Sequence, residues 1–144
     1  MLLPLLLALF VCSSAVAQRH RGRLTPERFQ AELEQYITMK AGLTPCEASK
    51  FFPVYSEMMK KHRALHEKIR SLKRIKPVGE ADCKRNIQSR DKLEIEIRQL
   101  QKTYHARFMQ ILPASKVYDV LKAEDQFHRQ AFKRVADRTR KKRK

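Results

Sequence analysis

The chain has 144 residues, room for one small domain, and carries 32 Lys and Arg against 15 Asp and Glu, a formal net charge of +17. Such a charge favours anionic partners through long-range steering that salt weakens. The sequence contains no Gly-rich phosphate loop, no metalloprotease signature and no residue set arranged for nucleophilic catalysis, so neither an enzyme nor a cofactor is expected.

Residues 1–17 read as a leader. An apolar run from Leu2 to Val11 is followed by small residues ending Ala15-Val16-Ala17, the pattern of a cleavable secretory signal, with cleavage expected before Gln18. About ten to sixteen apolar residues are too few to cross a bilayer, which needs roughly 20. The leader holds no charged residue, so the mature chain keeps the whole +17. Export argues against nucleic acid as its partner. It also puts Cys46 and Cys83 in an oxidising compartment.

Residues 18–23 are basic and patternless, a disordered lead-in to a helical domain spanning 24–137. Thr25 is a helix N-cap, Pro26 suits the first helical position and Glu27 the first turn. Phe29, Leu33, Tyr36 and Ile37 follow at helical spacing, and Gly42 closes this short first helix. Thr44, Pro45 and Glu47 repeat the start chemistry as a capping box. The second helix then shows Phe51, Tyr55, Met58, Leu65, Ile69 and Leu72 at steps of three and four, with His62 filling the remaining slot. It ends at Lys76-Pro77-Val78-Gly79, the one compact Pro/Gly cluster of the mature chain.

A third helix is expected over about Glu80 to Leu112, carrying Leu93, Ile97, Leu100, Tyr104, Phe108 and Ile111. Pro113 opens a fourth, whose stripe is Val117, Leu121, Phe127, Ala131 and Val135. Residues 138–144 hold six basic residues in seven and are expected to fray as a solvated tail. The chain is therefore predicted to be all-α, with four helices in all. The two long ones form an antiparallel hairpin, flanked by the short N-terminal helix and the C-terminal helix. So elongated a hairpin buries little core for its length, and a homodimer is the natural way to cover it.

The hairpin separates Cys46 from Cys83 by ~40 Å of helical rise, far beyond disulfide reach. His62 and His66, four apart, share a helix face and are weak candidates for a divalent metal. Met58 and Met59, with Phe51, Phe52 and Tyr55, make a soft apolar cluster flanked by Lys60, Lys61 and Arg63. That cluster is either core packing or a surface accepting varied apolar partners.

Leu43-Thr44-Pro45-Cys46-Glu47, the long charged helix after it, and Leu112-Pro113-Ala114-Ser115-Lys116 together resemble the Spy/CpxP family of exported helical proteins. The mark of that family is a Leu-Thr-x-x-Gln motif occurring twice. Here Glu47 stands where the family has Gln, and in the second copy Pro113 and Lys116 replace Thr and Gln. The resemblance implies a cradle-shaped antiparallel dimer in the periplasm that holds unfolded or acidic client proteins without ATP. Met58, Met59, Lys60, Lys61 and Arg63 would then contact clients. Relatives sense metals or restrain a membrane stress sensor, which is the alternative role implied. Apart from the resemblance, the basic tail from Arg138 to Lys144 is expected to offer a contact to anionic envelope surfaces.

Overall fold

The computed structural model describes residues 25–142, so the expected leader over 1–17 and lead-in over 18–23 lie outside it. The described residues form four helices and no strand: α1 (Pro26–Ala41), α2 (Pro45–Arg74), α3 (Glu80–Met109) and α4 (Ala114–Lys142).

The starts of α1 and α2 follow from side-chain chemistry, whereas α3 begins after Gly79 with no side-chain cap. The Thr25 hydroxyl accepts the Arg28 backbone N–H at 3.3 Å, satisfying a donor that would otherwise be orphaned. At α2 the capping box is complete: Glu47 N–H donates to Thr44 Oγ1 at 3.2 Å, and Thr44 N–H donates to Glu47 Oε2 at 2.8 Å. Between them Gly42 takes φ 59°, a left-handed conformation that ends α1, and its N–H returns to the Thr38 carbonyl. α2 runs unbroken through Pro53, whose ring faces solvent.

Two boundaries differ from expectation. α3 ends at Met109, three residues before Leu112, because its last turn tightens: Gln110 N–H bonds Arg107 O and Ile111 N–H bonds Phe108 O. At the other end of α4, the tail expected to fray from Arg138 continues as helix through Lys142. Arg and Lys are good helix formers, and cations near a helix C-terminus complement its dipole. That segment is exposed through Lys141, as expected.

α2 and α3 form the antiparallel hairpin, turning at residues 75–79, and α1 packs on α4. α1 and α4 run antiparallel: Lys116 reaches Gly42 at one end, while the rings of Phe29 and Phe127 meet at 5.2 Å at the other. The main core lies where all four helices come together. Leu33 and Ile37 of α1, Phe51 and Tyr55 of α2, Tyr104 and Phe108 of α3, and Val120 and Phe127 of α4 are all buried in it. Each such large side chain contributes about 1.5–3 kcal/mol by leaving water. A second, smaller cluster of Leu65, Ile69 and Ile97 draws only on α2 and α3. The molecule is thus a four-helix head with a two-helix stalk, and the stalk is held by far less apolar contact.

Cys46 is exposed at the start of α2 in the head, and Cys83 is half-buried beside the hairpin turn; both are free thiols.

Candidate functional site

The residues singled out from the sequence fall at three places along α2. At its start, Lys116 of α4 reaches across to Glu47, with Nζ 2.8 Å from Oε1 and 2.6 Å from Oε2, and to the Gly42 carbonyl at 3.2 Å. The Lys116 ammonium, then the Thr44 backbone N–H, hold the Glu47 carboxyl down to about 2. Leu43 and Leu112 are buried beneath this contact, while Thr44, Pro45 and Pro113 remain exposed. Segments 43–47 and 112–116 therefore meet at one joint of the head.

About four turns into α2, the expected client-contacting residues divide. Met58 is 3% exposed and belongs to the main core, not to the surface: its step of three from Tyr55 keeps it on the inward face. Met59 is half-buried against the same core, whereas Lys60, Lys61 and Arg63 are exposed. Lys61 is also engaged. It lies 2.9 Å from Glu57 Oε1 and 5.3 Å from the centre of the Tyr104 ring. Glu57 gathers α3 as well, accepting from the Tyr104 hydroxyl at 2.6 Å and from Arg107 at 3.1 Å. These donors, Tyr104 first and Lys61 next, hold its carboxyl down to about 2. No local pattern marks Glu57, since its partners on α3 are 47 and 50 residues away.

Further along, His62 and His66 do share a face, with their Nε2 atoms 3.3 Å apart and ring centres at 4.4 Å. Burial, then the neighbouring His66, push the His62 pKa down. Among the described residues no group of three His, Cys, Asp or Glu side chains converges on a metal position, so these two histidines gain no third ligand. Tyr55 is fully buried, and its hydroxyl makes no hydrogen bond of normal geometry among the described residues; burial, then the charge of Glu124, push its pKa up.

From Lys60 to Lys76, α2 and the residues just after it hold eight basic residues and one acidic residue, Glu67. This basic rail leads to the hairpin turn, where Ile75 and Val78 are 76% and 84% exposed. A groove of about 460 Å³ lies there, bordered by Leu72, Ile75, Lys76, Val78 and Asn86. A second groove of about 390 Å³ opens on the stalk between α2 and α3, with Leu65 and Leu100 in its wall and Lys61 beside them. Neither Ile75 nor Val78 was marked by the sequence, where Val78 reads as part of the turn; the available signal was two β-branched residues in a place that usually holds polar ones. No family model, no curated protein and no solved structure matches the chain.

Proposed function

We propose that the protein is an exported, non-enzymatic holding chaperone of the Spy/CpxP type, working in the periplasm as a homodimer. Its surface holds unfolded or acidic clients without ATP. The observation that carries this reading is the juxtaposition of the basic rail of α2 with exposed Ile75 and Val78 at the hairpin turn. Lys60, Arg63, Lys68 and Arg70 steer acidic segments to the stalk, and the apolar side chains then make weak contacts that let a client leave or fold. A small stalk core suits the task, since the surface carries out the binding and no rigid catalytic geometry is required.

The test is light scattering from an aggregating client at increasing amounts of the protein. Suppression is expected at near-stoichiometric amounts and should weaken as salt rises. Ile75→Ser with Val78→Ser, or Lys68→Glu with Arg70→Glu, should each reduce suppression while leaving the melting temperature unchanged. Failure to protect any client, or full protection by both variants, rejects the reading.

A further inference from the structure

The packed face of α4 stops well before the helix does. Phe127 is buried, held by the Phe29 ring at 5.2 Å and the Tyr36 ring at 5.5 Å. Its partner helix α1 begins at Pro26, so among the described residues α4 runs on without a neighbour, and Phe132 and Val135 stand 75% and 57% exposed. Three residues apart, they share one helix face, which Thr139 extends four residues later. Around that face the span from Arg129 to Lys141 holds six basic residues and one acidic residue, Asp137. At 100° per residue, Arg129 and Arg140 flank the apolar stripe on one side and Arg138 on the other. Arg129 pairs with Asp125 and Arg134 lies over the Phe127 ring, but Lys133, Arg138, Arg140 and Lys141 make no ion pair among the described residues.

From this arrangement we infer that the free end of α4 docks on an anionic lipid bilayer, lying in the interface with Phe132 and Val135 toward the acyl chains. A narrow apolar stripe between two cationic flanks matches a surface that is anionic outside and apolar just beneath. A second copy of the chain is a poor occupant, because it would bring two strongly positive ends together. Nucleic acid would satisfy the cations and leave the stripe without a partner. No helix among the described residues is long and apolar enough to cross a membrane, so the contact is one of lying on the surface. This inference stands apart from client holding and can fail without it.

The chain has no Trp, so Phe132→Trp gives a clean fluorescent reporter. The full chain carrying it is mixed with vesicles of phosphatidylglycerol and phosphatidylcholine, and with vesicles of phosphatidylcholine alone. A blue shift and co-sedimentation are expected with the anionic vesicles only, weakening as salt rises. In the otherwise wild-type chain, Phe132→Ser with Val135→Ser, or Arg138→Gln with Arg140→Gln and Lys141→Gln, should each weaken binding at least about tenfold. Both variants should melt at the wild-type temperature. Equal binding to neutral vesicles, unchanged binding by either variant, or tight binding to RNA or polyglutamate with none to vesicles would overturn the inference. So would dimerisation abolished by the serine variant, since a second copy would then occupy the face.

Discussion

Lys116 places its ammonium 2.6 Å from Glu47 Oε2, joining the first turn of α4 to the first turn of α2 across 69 residues of sequence. Glu47 has a second duty, since it also accepts the Thr44 backbone N–H at 2.8 Å to complete the capping box. The joint of the head is thus held by an opposite-charge pair.

The two partners should differ in what their removal costs. Lys116→Ala loses the ion pair and the bond to the Gly42 carbonyl, whereas Glu47→Ala loses the ion pair and half of the capping box, leaving the Thr44 N–H without its acceptor. Thermal melts should therefore rank wild type above Lys116→Ala and Lys116→Ala above Glu47→Ala. In the double variant the losses should be less than additive, because both substitutions remove the same pair. Strict additivity would show that the pair contributes nothing.

Acid should weaken the head through the same carboxylates. Glu47 and Glu57 are held at about 2 in the folded chain against an ordinary value of 4.5. The unfolded state therefore binds more protons in that interval, and their contribution is fully present above 4.5 and lost as pH falls through about 2. Melting temperature plotted against pH should drop across this window. Glu47→Gln and Glu57→Gln should each flatten the drop, and a wild-type slope in both variants would show that other groups cause it.

His62 acts in a different window with the same sign. Burial and His66 lower its folded pKa below 6.5, so the unfolded state takes up a proton first and stability falls as the solution drops below that value. The charged and titratable groups around it are His66 on its own helix, Arg98 on α3, and Glu124 and His128 on α4; Glu124 alone favours the imidazolium. His62→Gln should shrink the difference between urea midpoints at about pH 7.5 and about pH 5.5. An unchanged difference would place the titration elsewhere.

Much of this fold was legible because local chemistry and global packing agree. Thr25, Gly42 and Thr44 mark helix ends by interactions within a few residues, and Leu65 and Ile69 lie on the seam that their spacing predicts. The joint was not legible. Nothing near Lys116 in sequence announces Glu47, and nothing near Glu57 announces Tyr104 and Arg107, because such contacts depend on how hairpin and flanking helices dock. Met58 and Met59 illustrate the same limit at one-residue resolution: adjacent methionines in a basic setting differ in burial because one helical step of 100° separates core from rim. The helical continuation past Arg138 was hidden by its composition, since a run of like charges suggests solvation more readily than a continued helix.

Head and stalk should also come apart energetically, because their buried cores are distinct and share only the half-buried Leu100 at their border. Phe108 is fully buried and meets the Phe51 ring at 4.8 Å in the cluster shared by all four helices, so Phe108→Ala should cost about 3–5 kcal/mol. That loss should lower the global unfolding midpoint and speed exchange of amides in every helix. Ile97 packs only in the stalk with Leu65 and Ile69, and Ile97→Ala removes about 2–5 kcal/mol from a cluster that has little else. The hairpin can open from its turn without disturbing Phe51 or Phe108, so this loss should emerge as faster hydrogen exchange near residues 65–97. Amides around Phe51 and Val120 should keep wild-type protection. Uniform loss of protection in Ile97→Ala would mean that head and stalk unfold as one unit, and the division drawn from the two cores would be wrong.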